Sequence, residues 1–218
     1  MSVTKNYIAA FDLDKTILDV NSSILVVKAS RKVGYMRKRD FFRAIYYSIV
    51  YQFDLQDPNK IVAKMMRWLK GLKEVHVEEL INQHTIPELH ERFRPEIIEA
   101  IEEHRSKGAH LLLLSSAVPY LCEPIASHLK MDAVVCSKLE SVDGIFTGKP
   151  IRKLVFGKEK AVRMKEYCDE LKFTLESAWY YGDAFTDRFI LKSVGNPVCV
   201  KPEIKLRNLA KRKGWKII

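Results

Sequence analysis

Cysteine is scarce in this sequence and widely scattered. Cys122, Cys136, Cys168 and Cys199 include no CxxC pair. Neither a disulfide framework nor a zinc signature is therefore legible, and reduced thiols in a cytoplasmic protein are the expectation. Long apolar runs are missing as well. The longest uncharged stretches, Ala44–Phe53 and Leu111–Cys122, fall short of the roughly 20 residues a spanning helix needs. Met1–Ala10 lacks a basic region followed by a long apolar one, so no signal peptide is expected. There is no internal repeat and no low-complexity linker. The six histidines form no recognisable motif and read as structural or surface residues. Acidic residues are in deficit: 27 Asp and Glu face 37 Lys and Arg, a net charge of +10. That charge has two readings, attraction of small anionic substrates or contact with an anionic macromolecular surface. No nucleic-acid motif accompanies it, so nucleic acid is not an expected partner.

What is present is the composition of a folded globular chain. Apolar residues make up 47% of the 218 and charged residues 29%, enough for one sizeable core or for one core with a smaller inserted module. A short apolar strand, Tyr7–Phe11, stops at acidic residues. Similar strands are expected over His110–Ser115, Ala178–Tyr181 (ending in Gly182-Asp183) and Pro197–Val200. Helical stretches run over Pro95–Lys107, Lys158–Leu171 and Glu203–Lys213, the first opened by Pro95 and closed by Gly108. Strands alternating with helices predict an α/β fold, a doubly wound parallel sheet. Two segments break the alternation. Residues 19–94 carry helical periodicity, as in Ile61, Met65, Trp68, Leu69 and Leu72, and read as an inserted helical module. Val134–Thr147 reads as a hairpin, with Val135–Leu139 and Ile145–Thr147 flanking Asp143-Gly144.

Chemistry-bearing residues fall at the strand ends. Asp12 and Asp14, two positions apart, suit either a nucleophile with a general acid/base or a pair of metal ligands. Taken alone they read equally well as a capped turn. Ser115 and Ser116 follow an apolar strand, where a hydroxyl and backbone N–H groups can hold phosphate or simply cap a helix. Lys160 begins an amphipathic helix, where an ammonium can neutralise phosphate or lie on a solvated surface. Asp183 and Asp187 follow another strand beside Gly182 and can complete an oxygen site for Mg²⁺ or cap a turn. Their common placement at the edge where α/β sheets bind ligands makes phosphoryl transfer through an aspartyl-phosphate the reading that uses them all.

Asp12-Leu13-Asp14-Lys15-Thr16, Ser115 after four leucines, Lys160, and Gly182-Asp183 with Asp187 resemble the four motifs of the haloacid dehalogenase (HAD) superfamily. More narrowly they resemble its phosphoserine-phosphatase-like branch, subfamily IB, over essentially the whole chain. The resemblance implies a HAD-like, Rossmann-type core from residues 1–18 and 95–218, and a helical cap of the C1 type from residues 19–94. It implies a Mg²⁺-dependent phosphomonoester hydrolase whose substrate is a small phosphorylated metabolite. Asp12 would be the nucleophile and Asp14 the general acid/base. Mg²⁺ would be held by Asp12, the carbonyl of Asp14 and Asp183, with Asp187 in support. Ser115, Lys160 and the N–H groups of Leu13 and Ser116 would bind phosphate. Lys158, two residues from Lys160, is the alternative lysine.

Two departures from the phosphoserine phosphatases stand out. The cap glutamate expected nine residues after the nucleophile is Asn21, and the Met-Pro-Phe stretch is absent, which disfavours phosphoserine. Val27–Phe53 carries seven basic residues and one acid, with Tyr35, Phe41, Phe42, Tyr46, Tyr47, Tyr51 and Phe53. Such a composition fits either a cap helix with an aromatic inner face or peripheral contact with an anionic membrane. The latter keeps open a lipid-phosphate phosphatase, resembling those acting on phosphatidylglycerophosphate. A non-catalytic basic module for membrane or RNA is the contrasting class. Oligomeric state is not legible.

Overall fold

The computed structural model describes residues 5–52 and 67–218. Ile61, Met65 and Phe53, named above, lie outside them. Six strands form one parallel sheet: β1 (Tyr7–Phe11), β2 (Ala109–Leu114), β3 (Ala133–Val135), β6 (Trp179–Gly182), β7 (Asn196–Cys199) and β8 (Lys216–Ile217). Their order is β3-β2-β1-β6-β7-β8. β1 pairs in parallel with β2 (Phe11 opposite Leu113) and with β6 (Phe11 opposite Tyr181). The chain leaves β1 toward β2 and β3, then returns to build β6, β7 and β8 on the other side. The gap between β1 and β6 is thus the point where strand order reverses, the usual binding crevice of such sheets.

Alternation along the strands buries both faces, as a parallel sheet demands. On one face Ala9, Phe11, Leu111, Leu113, Tyr181 and Val198 pack against α5 (Pro95–Ser106) and α6 (Pro119–His128) through Ile97, Ile101, Leu121 and Ile125. On the other, Ile8, Ala10, Leu112, Leu114 and Tyr180 meet α7 (Lys158–Leu171), α8 (Arg188–Leu191) and α9 (Ile204–Lys213) through Met164, Cys168, Ile190 and Leu206. The doubly wound α/β expectation is met. The ends of the expected core strands and helices shift by at most one residue, within the usual uncertainty of element boundaries.

The insertion between β1 and β2 is helical among the described residues. It contains α1 (Ser22–Lys32), α2 (Lys38–Gln52), α3 (Glu74–Leu80) and α4 (Ile86–His90), with a short 3₁₀ turn at Arg67–Leu69 and a wide turn at Ile81–Thr85. Its two ends are pinned together. Leu18 bridges Phe93, the Arg94 N–H donates to the Ile17 carbonyl at 2.8 Å, and the Asp19 N–H donates to the Arg92 carbonyl at 2.9 Å. The Arg94 guanidinium also donates to the Lys15 carbonyl at 3.2 Å, so the returning chain braces the loop that carries Asp12 and Asp14.

The hairpin differs from its expected limits. It comprises β4 (Leu139–Val142) and β5 (Ile145–Pro150), turning at Asp143 and Gly144 with φ of +49° and +72°, as a tight Asp-Gly turn requires. Val135 instead ends β3, which pairs with β2 in the main sheet. The hairpin then recruits backbone from the insertion. The Gly71 N–H donates to Phe146, the Phe146 N–H to Leu72 and the Glu74 N–H to Gly144, at 2.8–3.0 Å. The Glu74 carboxylate at the start of α3 accepts from Tyr120 of α6 and, at 2.7 Å, from Ser141 of β4.

Candidate active site

Asp12 follows β1 directly, and its N–H donates to the Tyr181 carbonyl at 3.0 Å, which ties it to β6. The backbone then turns sharply: Asp14 stays extended, Lys15 adopts φ +56°, and the Leu18 N–H reaches back to the Leu13 carbonyl at 2.9 Å. Thr16 is fully buried by this turn and donates to Asp183 at 3.4 Å, which explains a threonine at that position. The Asp14 carboxylate accepts the Ser22 N–H at 2.8 Å, so the start of α1 orients it.

Asp12, Asp183 and Asp187 are buried, and each offers a carboxylate oxygen within 4.8 Å of the others. Lys160 lies among them, 3% exposed. Its ammonium is 2.8 Å from Asp12 and 2.9 Å from Asp187, and donates to the Tyr180 hydroxyl at 3.0 Å. These partners take all three of its N–H donors. Lys158 is instead exposed, its ammonium 5.4 Å from the centre of the Phe189 ring.

One ammonium among three buried carboxylates leaves negative charge in excess. Burial pushes the Asp12 carboxyl up to about 7, with Lys160 opposing and Asp187 adding to the shift. Burial, then the Asp12 charge, holds Asp183 well above the usual carboxylate range. Asp14 is also raised by burial, against the hydrogen bonds it accepts from Ser22. Burial works against the Lys160 ammonium, but Asp12 and Asp187 outweigh it and hold its pKa well above normal. Asp187 Oδ2 is buried and has no hydrogen-bond partner among the described residues. An all-oxygen donor set with an orphaned carboxylate oxygen and surplus negative charge fits a hard divalent cation such as Mg²⁺.

Gly182 explains how the acids come so close. A Cβ there would lie 2.6 Å from Asp187 Oδ2 and 2.8 Å from the Tyr180 ring.

The residues named from sequence fall in two groups. Asp12, Asp14, Ser116, Lys160, Asp183 and Asp187 all line one cavity of about 250 Å³. Leu13 and Ser115 lie fully buried behind it, where the Ser115 hydroxyl accepts the Ala117 N–H at 3.1 Å. Tyr180 and Ser22 are not marked by the sequence, and Thr16 stands in the first motif without a role. Tyr180 alternates out of β6 toward α7, and that alternation was its only signal. Asn21 also lines the cavity, and its side-chain oxygen is buried with no hydrogen-bond partner among the described residues.

A doubly wound sheet that gathers buried acids and a lysine at its switch point is a ligand-binding architecture, and comparison with known proteins gives it a family. The haloacid dehalogenase-like hydrolase family matches residues 9–192, and the chain belongs to it. Among curated relatives, the inhibition of morphological differentiation protein of Streptomyces azureus is 29% identical, over 96% of this chain and 77% of that one. Phosphoserine phosphatase SerB1 of Mycobacterium tuberculosis is 28% identical, over 96% and 69%. The histidinol-phosphatase of Neisseria meningitidis serogroup C is 26% identical, over 97% of each. Of solved structures, a protein of unknown function from Bordetella pertussis Tohama I superposes with a TM-score of 0.85 at 21% identity, over 99% of each chain. A substrate-bound phosphoserine phosphatase gives 0.73 at 18% identity, over 99% and 93%.

Two outcomes are expected. Gly182→Ala forces Asp187 and Tyr180 apart, and urea denaturation should show a loss of about 1–3 kcal/mol. The second concerns pH. The folded-state pKa of Asp12 exceeds its ordinary value of 3.8, lying at about 7. The unfolded chain therefore releases this proton first, and the stability it confers is complete below the ordinary value and lost as pH rises through about 7. In chelator, unfolding free energy should fall across that window, and Asp12→Asn should flatten the fall. An unchanged slope would remove Asp12 as its source.

Proposed function

We propose that the chain is a Mg²⁺-dependent phosphomonoester hydrolase acting through an aspartyl-phosphate on Asp12. The observation that carries this is the buried cluster of Asp12, Asp183 and Asp187, two of them paired with Lys160, beside a cavity that also exposes Asp14. The family membership and the phosphatases among its relatives support it. Asp12 and Asp183, with the Asp14 carbonyl, would hold the cation, and Asp187 would support it. Mg²⁺ bound there supplies the positive charge that offsets repulsion between carboxylate and phosphate.

The chain's own groups perform the steps. An Asp12 oxygen attacks phosphorus and the bond to the leaving oxygen breaks. Asp14, whose raised pKa favours its acid form, gives that oxygen its proton. Asp14 then takes a proton from water, which attacks the same phosphorus, freeing Asp12 and inorganic phosphate. Lys160 exchanges one of its carboxylate bonds for a phosphate oxygen, since none of its donors is spare. The N–H groups of Leu13 and Ser116 and the Ser115 hydroxyl complete the phosphate cradle. Residues 1–18 and 95–218 form the catalytic unit and residues 19–94 the cap, which the pinned ends of the insertion support. Asp12→Asn should reduce Mg²⁺-dependent phosphate release from p-nitrophenyl phosphate by at least about 10⁴-fold. Full retained activity refutes the nucleophile.

A second reading, a phosphatase working at an anionic membrane surface, rests on α1 and α2. Phe42 and Tyr46 are 68% and 58% exposed, beside exposed Lys38, Arg39 and Arg43. No helix among the described residues is long and apolar enough to cross a membrane, so such contact would be peripheral. Co-sedimentation with phosphatidylglycerol vesicles at moderate salt, lost in Phe42→Ala/Arg43→Ala, is the expected result. Equal recovery with neutral vesicles counts against it.

A further inference from the structure

Among the described residues, the cavity lining away from the acids is mostly apolar, with the Tyr120 hydroxyl, which donates to Glu74, beside Phe146. All the charged groups lining it among the described residues come from outside the insertion: Asp12, Asp14, Lys15, Lys160, Asp183, Asp187 and Glu203. The insertion and the hairpin supply Val27, Trp68, Leu69, Val77, Ile81 and Phe146. Of these, Leu69, Val77, Ile81 and Phe146 are 6% exposed or less. Among the described residues, the insertion's polar contributions are Asn21 and Ser23. Both flank Ser22, whose N–H holds Asp14, and the Asn21 side-chain oxygen is buried without a hydrogen-bond partner among the described residues. Among the described residues, the charge thus lies with the acids and the two lysines, and the rest of the lining is mostly apolar.

That division selects among leaving groups. An amino, carboxylate or polyol group pushed against that lining would lose its water and, among the described residues, find few partners beyond Asn21, Ser23 and Tyr120, at a cost. A compact apolar group would release water from both surfaces. A volume of about 250 Å³ lies below the roughly 300–1,000 Å³ of pockets for drug-sized ligands, so the organic group is small. We infer that the substrate is a phosphate monoester of a compact apolar alcohol, with Trp68, Val77 and Phe146 among the residues that select it. The inference rests on the phosphatase reading and adds the substrate class. The group that most opposes it is Lys15, a cation lining the cavity that a carboxylate-bearing substrate would use, so O-phosphoserine is the natural competitor.

The test uses esters with similar alkoxide leaving groups, so that intrinsic reactivity does not set the order. With the full chain and Mg²⁺, kcat/KM is measured for isoamyl, ethyl and ethanolamine phosphate, glycerol 3-phosphate and O-phosphoserine. Isoamyl phosphate should exceed each of the others by roughly tenfold or more. In Trp68→Ala the isoamyl-to-ethyl ratio should fall by about fivefold or more, a readout that a general loss of folded enzyme does not move. Activity in which O-phosphoserine or glycerol 3-phosphate equals isoamyl phosphate overturns this inference alone. Inactivity toward every ester, p-nitrophenyl phosphate included, overturns the phosphatase reading and this inference with it.

Discussion

The Lys160 ammonium is the contact on which the site depends. Burying an isolated charge is costly, and a buried pair recovers that cost only when its remaining hydrogen-bonding positions are filled. Here they are filled by Asp12, Asp187 and Tyr180. A lysine in the first turn of a helix also opposes the helix dipole, which favours anions there. The carboxylates of the strand ends outweigh both penalties. The acids in turn stay close because Lys160 lies between two of them, and because Gly182 leaves room for Asp187.

The sheet supplies the convergence. β2, β1 and β6 are neighbours, so the residues that follow them, Ser115, Asp12 and Asp183, emerge side by side although they are far apart in sequence. α7 packs on the Tyr180 face of the sheet and delivers Lys160 from the side. The insertion delivers a hydrogen bond to Asp14 and about half of the apolar lining, but no charge to the cavity among the described residues. The charged groups of the cavity and much of its apolar lining thus come from different stretches of chain.

Much of this was legible in the sequence. Ile8-Ala9-Ala10-Phe11 and the four leucines of β2 announce strands buried on both faces, and Pro95 and Gly108 punctuate a helix. Each acid alone reads equally well as a capped turn; they stand out because they recur directly after separate strands of one sheet. The choice of Lys160 over Lys158 was also available from spacing. Lys160, Met164 and Cys168 recur every four residues and share the buried face of α7, which Lys158 does not. Other features were out of reach. Nothing in the unbroken run Val134–Leu139 marks the point where the chain leaves the main sheet, because pairing with β2 is decided by a partner distant in sequence. The bond from Ser22 to Asp14 is made by a backbone N–H, which any residue supplies. Tyr180 reads as an ordinary core aromatic until a lysine from another element reaches it.

The hairpin belongs by sequence to the stretch after β3, yet its backbone is bonded to the insertion at Gly71, Leu72 and Glu74. Glu74 binds side chains on both the hairpin and α6. The insertion therefore has two attachments, the pinned ends at Leu18 and Phe93 and this second seam. Two separated attachments restrict a module far more than one hinge does. They also make the insertion and hairpin a single heritable unit. A recombination that exchanges residues 19–94 alone leaves β5 with a mismatched backbone partner, whereas one that carries the hairpin along preserves the seam, so lineages of this architecture should trade the two segments together.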